Sequence, residues 1–539
     1  MDATPDSGAR NPDGWGLTAS AGTPEEVQAV HGMLAARFGA DAVWTAGPVP
    51  RTAPPTPRAD VPDALQAIVG DDPGVRHLHA VGRSFGDTVA LRETGVTAFP
   101  DLVAVPRDAA DVAAVLDWCT EADLACIPFG GGTSVVGGVT AGGVADGRPV
   151  VTLQTRAMDR VVQVDTQSRA ALVQAGATGP VLESQLRQQG LTLRFYPQSF
   201  EMATLGGWLA TRAGGHFATG LVHIDDLVQS IGAETPAGRW ESRRLPGSGA
   251  GPSPDRMLLG SEGILGVITD AWVRLQDRPR YKGSAVVRFD DLPTAMAALR
   301  PLVQSGLAPA NCRVLDPVEA LLNGAGDGSH AVMVVGAESA AVDVTHDLQV
   351  MLALLADHGG RAGPPRISGS ASAPDPGRQP DGAAEAWKQS FLRAPYLRDV
   401  MVDAGMVVET FETAITHDRL QDFTSDVLAA TQAAVEAVCG DGIVTCRVTH
   451  AYPDGAAPYI TVIAPGRRGA RVAQWAEIKA AASEALAAGG GTITHHHAVG
   501  RDHRPWYDRQ RPAPFAAALA ASKWAVDPRG VLNPGVLLG

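Results

Sequence analysis

The residues that most invite a chemical reading are Pro128-Phe129-Gly130-Gly131-Gly132-Thr133-Ser134, placed at the end of the apolar segment that starts at Leu124. Glycine tolerates positive φ and lets backbone approach a ligand closely. Successive N–H groups can then line up as a nest for pyrophosphate oxygens, with the Thr133 and Ser134 hydroxyls as further donors. An ordinary glycine-rich turn is the plain alternative. The pattern is not a dinucleotide fingerprint, because Val135 stands where the third glycine would fall, and no G-x-x-x-x-G-K-[ST] occurs anywhere in the chain. Two more glycine-bearing stretches follow: Pro197-Gln198-Ser199-Phe200-Glu201-Met202-Ala203-Thr204-Leu205-Gly206-Gly207-Trp208, and Gly260-Ser261-Glu262-Gly263-Ile264-Leu265-Gly266-Val267-Ile268-Thr269.

Taken in order with Thr211-Arg212-Ala213-Gly214-Gly215 and Asp225-Asp226-Leu227-Val228, these stretches resemble the FAD-binding domain of the vanillyl-alcohol-oxidase superfamily. The resemblance implies that the Pro128–Ser134 nest holds the FAD pyrophosphate. Backbone around Gln198, Ser199, Phe200, Glu201, Met202, Ala203 and Thr204, and around Thr211, Arg212, Ala213 and Gly214, would wrap the cofactor. Glu262, Gly263, Ile264, Leu265, Gly266, Val267 and Ile268 would lie against adenosine and flavin. Many members tether FAD to a histidine near the first motif. Residues 126–140 contain none, so noncovalent FAD is expected.

The second half is similar to the alkyldihydroxyacetonephosphate synthases, and the likeness runs from about Trp15 to Leu538. Tyr459 follows Cys446-Arg447-Val448-Thr449, Arg398 sits in Tyr396-Leu397-Arg398-Asp399, Arg313 follows Ala308-Pro309-Ala310, and His495-His496-His497 precede Ala498-Val499-Gly500. Glu409-Thr410-Phe411-Glu412-Thr413 matches a further family stretch. The implied reaction exchanges the acyl group of acyl-dihydroxyacetonephosphate for a fatty alcohol through an adduct at flavin N5, with no net redox change. In that scheme Tyr459, His495, His496, His497 and Arg313 are catalytic, and Arg398 grips a phosphorylated, lipid-like substrate through its planar fork. A tyrosine with a pKa near 10 acts as a base only where cations or hydrogen bonds stabilise its phenolate, which the His triplet and an arginine are suited to supply. Two departures stand out: Ala498 replaces the usual glycine, and Gln198 a common aspartate.

Plainer readings exist for each residue. Tyr459 could be a core tyrosine with a satisfied hydroxyl, the two arginines salt-bridge partners, and the histidines a solvated run. A metal is not expected at the triplet, since neighbours on a strand alternate faces and make a poor cage. An FAD-linked 2-hydroxy-acid oxidoreductase would carry H-x-x-D-G-N-x-H and E-H-G segments. Here those regions read His450-Ala451-Tyr452-Pro453-Asp454-Gly455 and His496-His497-Ala498. A flavin-bearing electron-transfer subunit would need none of the Tyr, Arg and His set.

The elements that must position these residues are legible in outline. An amphipathic helix is expected from Asp108 to Asp123, with Val112, Val115, Leu116 and Cys119 at i, i+3, i+4 and i+7. Strands are expected at 124–129, Val150–Gln154 and Ala170–Gly176, and a helix from Gly179. A boundary falls at Pro279–Gly283, followed by strands at 284–289 and 331–339, helices at 291–305 and Ala341–His358, and a mobile loop at Arg361–Ala384 rich in Gly, Pro, Ser and Asp. The expected fold is α+β. It comprises an N-terminal extension with a helical region (1–95), an FAD-binding domain (96–278), a cap domain for substrate with an antiparallel sheet and helices on one face (279–488), and a C-terminal segment returning to the active site (489–539).

Composition narrows the rest. A charge of -14 disfavours nucleic acid, although the resemblance leaves room for peripheral membrane contact and a homodimer. Five cysteines without a C-x-x-C pair suggest neither a disulfide framework nor structural zinc. With no secretory signal, no long apolar run and no peroxisomal ending in the sequence, a cytoplasmic setting is expected. The Ala, Gly, Pro and Arg bias resembles a high-GC bacterial source.

Overall fold

The structure is a computed structural model that describes residues 9–47, 49, 51–217, 219–220, 223–369 and 383–538. Its first four strands are β1 (Val69–Gly70), β2 (Leu102–Ala104), β3 (Ala125–Phe129) and β4 (Val150–Gln154). They line up as β1-β2-β4-β3, parallel except where β1 meets β2. The unbroken apolar texture of β2, β3 and β4 suits strands covered on both faces. Asp108 caps the helix Ala109–Glu121 by accepting from the Asp111 amide. The helix buries the expected Val112, Val115, Leu116 and Cys119 with Leu102, Val151 and Leu153. The free edge of β3 is closed from far along the chain: the Cys126 amide donates to Val531 O at 2.7 Å, and the Asn533 amide to Cys126 O at 2.8 Å.

Next come β5 (Val161–Asp165), β6 (Ala170–Gln174), β7 (Leu191–Thr192), β8 (Val228–Thr235), β9 (Gly238–Glu241), β10 (Val267–Arg274) and β11 (Gln276–Asp277). Five of them form an antiparallel sheet, β5-β6-β10-β8-β9, while β7 and β11 pair separately. The helix Leu205–Thr211 buries Leu205, Trp208 and Leu209 beside Ala171, Val173 and Val273 of that sheet.

The remaining strands are β12 (Tyr281–Phe289), β13 (Asn311–Leu315), β14 (Ala331–Ser339), β15 (Arg361–Ala362), β16 (Arg366–Ser368), β17 (Met406–Glu412), β18 (Ile415–Thr416), β19 (Ile443–Ala451) and β20 (Gly455–Pro465). They build a nine-stranded antiparallel sheet along β15-β12-β14-β13-β19-β20-β17, with β16 on β12 and β18 on β20. The two-residue period sorts its faces. Cys312, Val314, Cys446 and Val448 pack with Leu299 and Leu302 of the helix Leu292–Gln304, and with Leu348 and Met351 of the helix Thr345–Asp357. The opposite face carries Arg313, Arg447, Tyr459 and Glu412, because Leu315 pairs with Arg447, Arg447 with Tyr459, and Tyr459 with Glu412.

Two expectations change. Helices cover more than one face, since Phe391 of the helix Ala383–Asp403 packs with Leu315, Val332 and Val334 on the site side. The segment expected as a mobile loop at Arg361–Ala384 contributes β15 and β16, because its first eight residues find a partner in β12; residues 370–382 lie outside the described part. Within the expected boundary at Pro279–Gly283, β12 begins at Tyr281, the first strand of the large sheet. No helix among the described residues is long and apolar enough to cross a membrane.

Candidate active site

Where β3 ends, the chain turns through Gly130–Ser134. Among the described residues none of these five N–H groups donates to another backbone group, although Gly131 and Gly132 are buried. Buried amides without partners are costly, so this run suits an anionic ligand. The glycines are required by close packing. A Cβ on Gly131 would lie 2.0 Å from Met202 O, one on Gly130 2.3 Å from Thr204 Oγ1, and Gly132 has a φ of +68°. The loop therefore rests on the Gln198–Thr204 turn, which is closed by the Ala203 amide donating to Ser199 O at 2.8 Å. Thr204 then caps the helix Leu205–Thr211 by accepting from the Gly207 amide.

The other two cofactor stretches meet the same place. The Glu262 amide donates to Ala210 O at 2.9 Å, next to Thr211, and a Cβ on Gly263 would approach Pro128 Cγ at 2.9 Å. Arg212 takes a left-handed conformation that ends the helix, and its guanidinium pairs with Asp225 at 2.7 Å. Ile264 and Leu265 are core residues, and Val267 and Ile268 open β10. Glu262 does more than line a cofactor: its buried carboxylate accepts from the amides of Val499 and Gly500, each at 2.8 Å. Burial pushes its pKa up to about 7 against the pull of those amides.

Two arginines at the nest were not anticipated. A Cβ on Gly132 would touch Arg10 Nη2, and the Arg10 guanidinium lies 5.3 Å from the Phe129 ring centroid. Arg83 is buried, and its amide donates to Ser134 O at 2.7 Å. Burial, then repulsion from Arg83 and Arg156, holds Arg10 well below its usual pKa, and burial lowers Arg83. A half-buried guanidinium of Arg10 beside unpaired amides suits a diphosphate, so these residues fit the pyrophosphate of FAD. Nothing local in the sequence marks either arginine.

On the large sheet, Tyr459 is 4% exposed, which removes it from water. The Arg447 guanidinium sits over its ring at 3.9 Å. Burial raises the Tyr459 pKa while Arg447 opposes it. Arg447 itself pairs with buried Glu319 at 2.6 Å, and Thr445 donates to the same carboxylate at 2.7 Å. The arginine on this ring is thus Arg447. Arg313, expected there, donates instead to His216 O at 2.5 Å and lies 4.9 Å from the Phe391 ring.

His495, His496 and His497 do come to Tyr459. The His496 ring centroid is 6.2 Å from it, near-stacked, and that of His497 is 5.4 Å away, edge-on. The triplet is not in a strand, so the alternating-face expectation fails. It forms a turn wrapped around Glu412, which accepts from the amides of His495, His496 (3.0 Å) and His497 (2.6 Å) and from Thr494 Oγ1 (2.8 Å). Burial would raise Glu412, but His497, His495 and these amides bring it down to about 2. Burial pulls all three histidines below their ordinary pKa, which works against the cations expected beside the phenol. Donor atoms of His450, His495 and His496 lie within 4.8 Å of one another, as do those of Glu412, His496 and His497.

His450 reaches this group through a β-bulge. Val448 pairs with Pro458, yet His450 pairs with Ala457, so Thr449 is the extra residue and His450 turns to the Tyr459 face. Its Nε2–H donates to Gly215 O at 2.8 Å. Arg398 stands apart. Its Nη1 donates to Arg83 O at 3.0 Å, beside the nest, and among the described residues no hydrogen bond or ion pair joins it to Tyr459 or the histidines.

Two regions match known families: residues 100–242 an FAD binding domain, and residues 278–537 the C-terminal domain of FAD linked oxidases. Fold and nest together define an FAD-binding enzyme of the FAD-linked oxidase class. The chain is 30% identical over 504 residues to an alkyldihydroxyacetonephosphate synthase of Dictyostelium discoideum, covering 89% of this chain and 79% of that protein. It is 25% identical over 514 residues to the one from Trypanosoma brucei brucei, with 91% and 82% covered. A solved alkyldihydroxyacetonephosphate synthase structure superposes with a TM-score of 0.79 at 25% identity, over 97% of this chain and 98% of that one. The chain belongs to the alkyldihydroxyacetonephosphate synthase family.

Proposed function

We propose that this enzyme exchanges the acyl group of an acyl-dihydroxyacetonephosphate for a long-chain alcohol, with Tyr459 as the general base. The observation that carries the reading is the buried Tyr459 ring under Arg447, flanked by histidines that burial makes less basic. When bound, FAD supplies a nucleophilic nitrogen for the exchange. The chain's own groups do the rest. Arg447 favours the phenolate that accepts the alcohol proton, and Glu412 fixes the histidine turn. Arg313 holds the neighbouring His216 backbone. Arg398, Arg83 and Arg10 make the cationic side, where phosphates belong. In this division of labour 96–278 holds the cofactor, 279–488 takes the substrate, and 489–539 returns the histidines to it, while 1–95 contributes Arg10 and Arg83. Anaerobic enzyme should move labelled fatty alcohol into the dihydroxyacetonephosphate product without lasting flavin reduction. Bleaching of the flavin by lactate or glycolate, with no exchange, would overturn the reading.

Two further outcomes follow. Acid or heat should release FAD into the supernatant, because residues 126–140 hold no histidine to tether it; flavin left on the denatured chain would show a covalent bond. Arg398→Lys should weaken a phosphorylated substrate, raising KM by about tenfold or more with flavin content unchanged, since charge survives but the fork is lost. An equal KM for the variant would remove Arg398 from the phosphate site.

A further inference from the structure

We propose that His496, His495 and His223 form a proton relay from the Tyr459 pocket to solvent, a role that rests on the exchange reading above. In the exchange, the C–O bond to the acyl group breaks and carboxylate leaves with the electron pair. The alcohol oxygen forms the new C–O bond, and the alcohol proton is left over. One proton per turnover must therefore leave a base that is buried.

The histidines offer a directed path. The His496 ring centroid is 6.2 Å from that of Tyr459, within the reach of one bridging water or substrate hydroxyl. His496 Nδ1 is 2.9 Å from His495 Nδ1, and His495 Nε2 is 3.2 Å from His223 Nε2. His223 is half-buried, and its Nδ1 lies 3.2 Å from Arg212 O. A carbonyl can only accept, so His223 Nδ1 carries hydrogen and its Nε2, in the neutral ring, is an acceptor. It follows that His495 donates from Nε2 and accepts at Nδ1 from His496. The hydrogens of His496 and His495 then point toward His223, and each of these imidazoles can take a proton at one nitrogen while releasing one at the other; half-buried His223 takes the proton at Nε2 and yields one to solvent when its Nδ1–H leaves the Arg212 carbonyl.

The surrounding groups agree with this direction. Tyr452 OH, 2.7 Å from His495 Nε2, shares that hydrogen. The His450 ring lies 4.9 Å from that of His495, but its Nε2–H is spent on Gly215 O. Burial lowers the His223 pKa, with Asp225 and Asp226 opposing and Arg212 assisting. Glu412 holds the backbone of the inner pair and leaves the ring nitrogens free to exchange protons.

The test compares wild type, His223→Asn and His223→Ala as FAD-loaded proteins in dilute buffer. Asparagine keeps a polar partner for His495 but does not shuttle protons. Flavin content and melting temperature should match wild type, while exchange turnover falls by about tenfold or more and the solvent deuterium effect on turnover rises. Added imidazole should restore His223→Ala in proportion to its concentration. Wild-type turnover in His223→Asn, or a loss in His223→Ala that imidazole does not repair, would overturn the relay. Photoreduction of the bound flavin by an added sacrificial electron donor takes up a proton at the flavin with its two electrons and needs no substrate. Proton uptake followed with a pH dye should slow in His223→Asn; an unchanged rate overturns the relay even if wild type shows no exchange, a result that would itself count against the synthase reading alone.

Discussion

Tyr459→Phe should fold, bind FAD and lose turnover by about 10²- to 10⁴-fold, the usual worth of a positioned proton-transfer group. The ring, its contact with Arg447 and its packing survive the change. What disappears is one hydroxyl. A purely structural tyrosine would register that as about 1 to 2 kcal/mol of stability with activity intact. The two roles thus separate cleanly in a melting curve and a turnover measurement on the same sample. A folded, fully active Tyr459→Phe enzyme would refute the base assignment and leave hydroxy-acid oxidation as the better account.

Gly131→Ala should purify without flavin. Space for pyrophosphate is the first reason one would give for this glycine, and it would call for a bulky substituent. The structure shows that one methyl is enough, because the added Cβ would lie 2.0 Å from Met202 O, a backbone atom that cannot swing away. The nest and the Gln198–Thr204 turn would be forced apart together. Gly207→Ala is the matched control: its Cβ would meet Thr204 Oγ1 at an ordinary 3.4 Å, and flavin content should remain normal. The ratio of flavin to protein absorbance in the two variants decides the matter, and full occupancy in Gly131→Ala would falsify the nest.

How far the sequence reaches depends on whether a feature is local. The strands at 150–154 and 331–339 and the Asp108-capped helix were legible because their signals sit within a few residues. So was the glycine loop. The partners of the active tyrosine were not. Strand periodicity places His450 with Cys446 and Val448 on the core face, and only the bulge at Thr449 re-aims it. Arg447 was in view as part of a motif, but its place over Tyr459 follows from the β19–β20 register, which no single strand encodes. Glu412 lay in a recognised stretch, yet its task depends on a turn more than 80 residues away. Arg10 reaches the nest across more than 100 residues of chain. Long-range closure and one irregular strand residue account for most of what the sequence left unread.

The edge of β3 has a consequence for the order of events during synthesis. Cys126 finds its outer hydrogen-bond partners in Val531 and Asn533, and the Asn533 side chain also donates to the carbonyls of Gly138 and Glu262. A ribosome releases residues 100–242 long before 531–533 emerge. Until then the strand that launches the nest has an unpaired edge, and exposed strand edges invite association with other chains. The strand that launches the nest therefore gains its outer partners only once the C-terminal segment has been made and docked, and the interval before that is when its edge is open to association.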